Sequence, residues 1–239
     1  MFATSLLVGA AAGALERARP GTRLPLVAGW KCRALAFVAL EVLTVVAVVF
    51  LWFALVDSPA LFALDGEPLW IQLSANWLLS TFAFYWWHRV RHHSAVLWRW
   101  THQLHHSPQR IETITTFYKH PIEVIADTLF NLALSFLILG VSTEAFLLHA
   151  SCVASSQFFV HMNVATPHWI GYFVQRPEMH RIHHESGVHR NNYADLPFWD
   201  ILFGTFENPQ QRCVDCGFEA EREQRVLDML LLRDVHHKK

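Results

Sequence analysis

The sequence predicts an all-α integral membrane protein of about four transmembrane helices, with a cytoplasmic helical cap that carries clustered histidines. Three observations lead there. Apolar residues make up 53% of the 239-residue chain and charged residues only 16%, which is too little charge for a disordered polar chain. The apolar residues gather in four stretches, roughly 34–56, 69–87, 124–141 and 143–160, each near the ~20 helical residues that a bilayer core requires. Histidine occurs 16 times, close to the 19 of Lys and Arg together, and most of these histidines sit at the ends of the apolar stretches. The formal net charge of −1 argues against a nucleic acid partner, which calls for a strongly basic face.

The first stretch, Ala34 to Val56, has Glu41 as its only charge. The second, Leu69 to Trp87, has none and ends in Tyr85, Trp86 and Trp87, residue types favoured at a membrane interface. The third and fourth are separated by Gly140 to Ser142 and read as a helical hairpin. An earlier apolar run, Phe2 to Leu15, is too short to span upright. It has no basic leader or small-residue cleavage site, so it does not read as a secretory signal. The alternative to spans is a soluble helical protein with apolar core helices. Arg17, Arg19, Arg23, Lys31 and Arg33 occupy loop 16–33, whereas loop 57–68 has Asp57, Asp65 and Glu67 and no basic residue. The positive-inside rule then puts 16–33 in the cytoplasm and 57–68 outside. Segments 88–123 and 161–239 return inside, which places nearly all histidines on the cytoplasmic side. His149 alone falls within a span and reads as a packing residue. Phe218 to Leu232 reads as an amphipathic helix that caps the site or lies on the membrane.

The histidines form three boxes. His88 and His92 are four apart and share a helix face, with His93 turned away by about 100°. His102, His105 and His106 form one H-x-x-H-H, and His180, His183 and His184 another. The i, i+3, i+4 spacing puts three imidazoles on one side of a helix. Pro177 and Gly187 frame the last box as a short helix. Eight imidazoles exceed what one tetrahedral zinc uses. They suit two metal ions with nitrogen ligands, for which iron, zinc and copper are all candidates. Each ligating ring needs a partner for its second N–H, and Glu112, Glu123, Glu178, Glu185, Asp195 and Asp200 are the carboxylates nearby in sequence. His236 and His237 fall in a charged tail and read as solvated.

Other chemistries find no support. His184-Glu185 begins H-E-x-x-H, but position 188 is Val. G-x-S-x-G, G-x-G-x-x-G and G-x-x-x-x-G-K are all missing, so no hydrolase elbow and no dinucleotide or ATP site is indicated. Cys213-Val-Asp-Cys216 is a lone C-x-x-C and reads as reduced, incidental cysteines.

The pattern His88-Arg-x-x-His92, Trp98-Arg-x-x-x-His102-x-x-His105-His106-Ser, Met179-His180-Arg-Ile-His183-His184, Asn192-Tyr193 and Trp199-Asp-x-Leu-Phe-Gly-Thr205 resembles the fatty acid hydroxylase superfamily, also called the sterol desaturase family. The resemblance covers residues 76–207. It implies a catalytic domain there, between an N-terminal membrane region at 1–75 and a C-terminal cytoplasmic tail at 208–239. It also implies a membrane-bound, non-haem di-iron oxidoreductase that uses dioxygen to hydroxylate or desaturate a sterol, fatty acyl or related lipid. By position, the metal ligands would be His88, His92, His102, His105, His106, His180, His183 and His184. His161, in His161-Met-Asn163, would be a ninth. Position 165 is Ala where some members have a further histidine, which leaves His168 as a possible substitute and His120 as an outer partner.

Two irons, with zinc as a possible substitute, would therefore work with a lipid substrate and an external electron donor, a reductase with a ferredoxin or small cytochrome. An ether-lipid or carotenoid monooxygenase of the same family is the alternative. A second class is a non-enzymatic metal transporter or bis-histidine haem protein, but a transporter keeps its ligands near the bilayer midplane, where only His149 lies. Beyond the ligand set, the residues single out no catalytic group.

Overall fold

The computed structural model describes residues 2–213 and 215–236, with side chains from residue 7 onward. His237 therefore lies outside the described residues. Helix α1 (Phe2–Ala18) is followed by the basic loop and α2 (Trp30–Leu55), and then by α3 (Leu69–His93). A single turn, α4 (Ala95–Leu97), runs into a π-helical turn, Trp98–His102, and a 3-10 turn, Thr113–Phe117. Helix α5 (Pro121–Leu132) continues as a π-helix over Ala133–Leu139 and doubles back into α6 (Thr143–His161). The rest is short: a 3-10 turn at His168–Tyr172, α7 (Pro177–His183), α8 (Pro197–Leu202), α9 (Ala220–Glu223) and α10 (Val226–Leu230). No strand occurs among the described residues, where an isolated antiparallel bridge pairs Glu185 with Cys216.

All four apolar stretches form helices. Two of these, Trp30–Leu55 and Pro121–Leu139, are long and apolar enough to cross a membrane, with mean hydropathies of 2.7 and 1.9. Helix α2 buries only Trp30, Ala34, Phe37, Val48 and Trp52, and it leaves Leu43, Val46, Phe50 and Phe53 exposed. In water that surface would be an aggregation liability; in lipid it has no such penalty.

Helices α3 and α6 are long enough but less apolar, because polar side chains line the faces they turn to each other and to the rest of the fold. Ser80 Oγ is 2.8 Å from His149 Nε2. Ser135 Oγ donates to Asn76 Oδ1 at 3.2 Å, and Trp199 Nε1 donates to Thr81 Oγ1 at 3.1 Å. Such cross-helix bonds satisfy polar groups where water is excluded, and His149 is a packing residue of this kind. Glu41, the single charge of α2, accepts from Lys119 Nζ at 3.3 Å.

The hairpin turn has clear local causes. Gly140 ends the π-helix in the left-handed conformation, and Ser142 Oγ accepts from Ala145 N at 3.2 Å to cap α6. The last carbonyls of the π-helix, at Leu137, Ile138 and Leu139, accept from the backbone N–H groups of Leu61, Phe62 and Leu64. Loop 57–68 thus caps a helix end that would otherwise be orphaned.

At the opposite end, Trp30, Phe37, Leu104, Tyr118, Phe218 and Met229 form one buried cluster; each side chain of this size contributes about 1.5–3 kcal/mol on burial. The segment Phe218 to Leu232 is two short helices rather than one amphipathic helix. Glu223 turns inward to Arg33 at 3.3 Å, Arg225 bonds Asp228 at 2.9 Å, and the backbone leaves the helical region at Arg225.

The tail also joins two histidine boxes. Gly217 N donates to His184 O at 2.9 Å and Phe218 N donates to Ser107 O at 3.0 Å. Gly217 has φ +77, and a Cβ there would sit 2.2 Å from Pro108 O. Gly217→Ala should therefore lose about 1–2 kcal/mol from the left-handed backbone alone, and more as Pro108 is displaced. Gly187→Ala, at φ +74 with open space around it, should lose only the backbone part. Thermal midpoints in detergent read both, and equal losses would mean that the contact with Pro108 carries no weight.

Candidate metal centre

Nine histidines from four parts of the chain converge in two buried groups. His88, His92, His102, His106 and His183 form one, and His105, His161, His180 and His184 the other, with the ligand atoms of each group within 4.8 Å of one another. Helix α3 delivers His88 and His92 from its last turns, beyond its apolar part, and the C-terminal residue of α6 is His161. Helix α7 starts with Pro177 at its first position and carries the third box, with His184 as its C-cap.

The two H-x-x-H-H boxes do not each serve one site, as the shared-face reading expected. On a helix, i and i+4 lie about 40° apart, whereas i+3 and i+4 lie about 100° apart. The i, i+4 pair His102 and His106 joins the five-histidine group while His105 turns to the other. The third box does the reverse, with His180 and His184 in the four-histidine group and His183 crossing over. His106 and His184 stack at 4.1 Å between ring centroids and join the two groups. The second box begins on the last residue of the π-turn Trp98–His102, closed by the bond from Gln103 N to Trp98 O at 2.7 Å, and continues through turns; it is not a regular helix.

The outward nitrogens of the rings settle where the protons lie. The Nδ1 of His88 is 2.8 Å from Tyr193 O, that of His92 is 2.9 Å from His189 O, and that of His183 is 2.6 Å from Asn191 O. His161 Nδ1 faces Gln157 O at 2.8 Å, and His102 Nδ1 faces the Glu123 carboxylate at 2.8 Å. Carbonyl and carboxylate oxygens only accept, so each of these rings carries its proton on Nδ1. Burial, with neighbouring histidines and Arg91 adding to it, holds His88, His92, His102, His105, His106, His180 and His184 well below the ordinary imidazole value. The same causes, burial first, push His183 down to about 3. The rings are neutral, and in His88, His92, His102, His161 and His183, whose Nδ1 holds the proton, Nε2 is bare.

Those atoms face other ring nitrogens. His88 Nε2 is 2.9 Å from His102 Nε2, with no proton on either to place between them, and His102 Nε2 is 3.1 Å from His106 Nε2. In the second group, His161 Nε2 lies 3.3 Å from His105 Nε2 and 3.0 Å from His180 Nε2. His92 Nε2 and His183 Nε2 are buried without any hydrogen-bond partner. A transition metal about 2.1 Å from each nitrogen sets neighbouring ligand atoms about 3 Å apart, so the donor set fits a shared cation in each group.

The predicted outer carboxylates divide. Glu123 touches a ring, and its Oε1 also accepts from Arg91 Nη1 at 2.7 Å. Asp200 acts one step away, accepting from Tyr193 N and Ala194 N at 2.8 and 2.9 Å and so fixing the carbonyl that serves His88. Asp195 accepts from Gln157 Nε2 at 2.7 Å, next to the carbonyl that serves His161. Glu112 instead bonds Trp30 and Arg110, Glu178 bonds Thr166, and Glu185 pairs with Cys216.

Among the remaining histidines, His93 bonds Arg89 O on the exposed surface and His168 bonds Asn208 O. His120 caps α5 by accepting from Ile122 N at 3.0 Å, so none of these three joins a group. The sequence reading missed the loop carbonyls of Tyr193, His189 and Asn191. The role of His189, a lone histidine near the boxes in sequence, is open from the sequence; its ring Nδ1 lies 3.1 Å from His106 Nδ1. The one signal available was Asn191-Asn192, a pair suited to the left-handed turns that both adopt.

The neutral burial has a consequence for pH. Unfolded, each ring takes a proton near 6.5; folded, it stays neutral down to far lower pH, about 3 for His183. Between these values the unfolded state binds more protons. Stability is therefore full above pH 6.5 and falls on acidification, by about 1.4 kcal/mol per pH unit for each ring. Metal-free protein in detergent should unfold steeply below roughly pH 6.5, with matching proton uptake, when followed by circular dichroism. An acid transition no steeper than one proton would contradict the neutral burial of the set.

Comparison with known proteins comes to the same residues. The family model described as fatty acid hydroxylase matches residues 73–205, a stretch that contains all nine histidines and the loop carbonyls that orient them. Ornithine lipid hydroxylase OlsE of Rhizobium tropici is 34% identical over 170 residues, 65% of this chain and 49% of that protein. Human alkylglycerol monooxygenase is 26% identical over 172 residues, 70% of this chain and 36% of that protein. Sphinganine C4-monooxygenase 1 of Arabidopsis thaliana is 28% identical over 150 residues, 60% of this chain and 57% of that protein. The chain thus spans about half or less of the first two relatives. No solved structure matches it. Because the matched stretch holds the whole two-group histidine arrangement, the chain belongs to the fatty acid hydroxylase family.

Proposed function

We propose that the protein is a membrane-bound, non-haem di-iron oxidoreductase that uses dioxygen to hydroxylate or desaturate a lipid. The observation that carries this reading is the pair of groups in which neutral imidazoles turn their Nε2 atoms on one another. His88, His92, His102, His106 and His183 would hold one iron, and His105, His161, His180 and His184 the other. Zinc fits the same donors but has no redox chemistry. Bound there, iron supplies what no side chain can, the reduction of dioxygen coupled to oxidation of an unactivated C–H bond. The side chains orient the ions, and their burial excludes water from the reacting centre.

A lipid substrate is supported by the relatives, whose names specify an ornithine lipid, an alkylglycerol and sphinganine. It is also supported by an apolar groove of about 730 Å³ between α1 and α6, lined by Ala11, Ala12, Leu15, Phe158, Phe159 and Met162. Phe158 and Met162 flank His161 in sequence, so the groove is lined by the same stretch of chain that carries one member of the four-histidine group. An ether-lipid substrate is the second reading, favoured by the similarity to alkylglycerol monooxygenases of human and Xenopus tropicalis.

In this proposal the chain crosses the membrane four times, with α3 and α6 joining the two more apolar helices, and the histidine boxes lie on the cytoplasmic side. The basic loop 16–33 packs at the histidine end: Arg110 Nη1 donates to Pro25 O at 2.7 Å and Trp30 Nε1 donates to Glu112 at 2.6 Å. That supports placing the loop and the boxes on one side. Residues 76–207 form the catalytic domain, and a separate reductase with a ferredoxin or small cytochrome supplies electrons.

Purified protein should hold two irons per chain, and lipid extracts of expressing cells should contain a product that has gained one oxygen atom or lost two hydrogens. His105→Ala and His183→Ala, one from each group, should each abolish the product and lower the iron content by about one. Active protein without a transition metal, or product formation unaffected by both substitutions, would sink the reading. Ala11→Trp, at an exposed position lining the groove, should raise KM for a long-chain substrate several-fold with iron content unchanged. An unchanged KM would remove the groove from the substrate's path.

A further inference from the structure

His189 lies in the loop between α7 and α8, outside both histidine groups, yet it contacts two members of the five-histidine group through different atoms. Its backbone carbonyl accepts from His92 Nδ1 at 2.9 Å. Its ring Nδ1 lies 3.1 Å from His106 Nδ1. His106 presents Nε2 to His102 Nε2 at 3.1 Å; with that Nε2 serving as a metal ligand, its proton resides on Nδ1 and is donated to His189. His189 then carries its own proton on Nε2. Trp98 covers both rings, with centroids 5.1 Å from His106 and 5.6 Å from His189, and Phe218 meets His189 edge-on at 5.5 Å.

The backbone adds an independent observation. His189 has φ +44, a left-handed conformation that is uncommon for any residue with a Cβ and that glycine adopts freely. Such strain persists where surrounding contacts over-determine it, and it concentrates at functional sites. Here the strained turn aims the His189 carbonyl at His92 while leaving its ring on His106.

We propose that His189 is a positioning residue for the five-histidine site: its ring fixes the tautomer and orientation of His106, and its left-handed backbone aims the carbonyl that does the same for His92. This rests on the reading of the nine histidines as metal ligands. No member of the four-histidine group bonds His189, so its influence is confined to one site. Losing an outer partner of this kind weakens metal binding about ten- to hundredfold.

His189→Gly is the discriminating variant, because glycine keeps the left-handed backbone and carbonyl without strain and removes only the ring. His189→Asn tolerates the same backbone and restores an acceptor. Full-length protein in detergent is loaded anaerobically with Co(II), challenged with a chelator, and analysed for metal per chain and for the visible Co(II) spectrum. The expected result is two cobalt ions retained by wild type and by His93→Ala, which lies outside both groups. His189→Gly should retain about one, with release of the other accelerated about ten- to hundredfold, and His189→Asn should slow that release. The metal-free His189→Gly protein should melt at or above the wild-type temperature. Two ions retained by the Gly variant with wild-type kinetics, equal loss from both sites, or a lower melting temperature of its metal-free form would overturn the proposal. Wild-type protein that binds no cobalt or iron would instead overturn the ligand reading beneath it.

Discussion

Nine neutral imidazoles with their ligand atoms gathered into two tight groups are the constraint from which the rest of the structure follows. His88 Nε2 and His102 Nε2 approach to 2.9 Å with their protons committed to Tyr193 O and to Glu123, so no hydrogen bond can relieve the contact. In a low-dielectric interior that repulsion is undiluted by water. A shared cation turns it into attraction, and binding energy at such a site is also folding energy. The fold therefore has to hold the rings together without the cation's help, and its layout answers that requirement.

Six of the nine rings are pinned from outside. Asp200 accepts from Tyr193 N, Ala194 N and Thr205 Oγ1, which holds the loop supplying the carbonyl to His88. Asn192 Nδ2 donates to Met179 O and Glu207 O at 3.0 and 2.9 Å, tying that loop to α7. Glu123 is shared between His102 and Arg91, whose Nη1 also lies 3.3 Å from Asp127. A carboxylate this buried needs its cation, and breaking such a pair is strongly destabilising. The C-terminal tail then closes over the outside of boxes two and three through Gly217 and Phe218, seated by the apolar cluster around Tyr118.

The helices were legible because apolar runs of ~20 residues admit few structures, and Gly140 and Ser142 mark the hairpin turn as expected. The splitting of the boxes was not. Spacing places His102, His105 and His106 on one broad face, but the 100° between i+3 and i+4 lets two partners divide them, and the partners come from distant α3, α6 and α7. The outer contacts were hidden for another reason: Tyr193, His189, Asn191 and Gln157 act through backbone carbonyls, which every residue has. Of the six carboxylates near in sequence, only Glu123 bonds a ring, because α5 turns it inward while Glu112 and Glu178 are taken up by Trp30 and Thr166. The broken helix at 218–232 follows from Glu223 facing Arg33, a pairing 190 residues apart that no local periodicity contains.

The two groups are unequal in a way that bears on how each could work. In the five-histidine group every ring has an outward partner: three carbonyls, the Glu123 carboxylate and the His189 ring. In the four-histidine group only His161 has one, and the Nδ1 atoms of His105, His180 and His184 are buried without a partner. Rings held at both nitrogens keep their orientation, whereas rings held at one can rotate about χ2 and adjust to what they bind. The four-histidine group also has one histidine fewer, and its His161 stands in sequence between Phe158 and Met162, which line the apolar groove. Rigidity and a fuller donor set therefore fall on the site enclosed by the loop and tail. Freedom to adjust falls on the four-histidine group, where three rings are held at one nitrogen only.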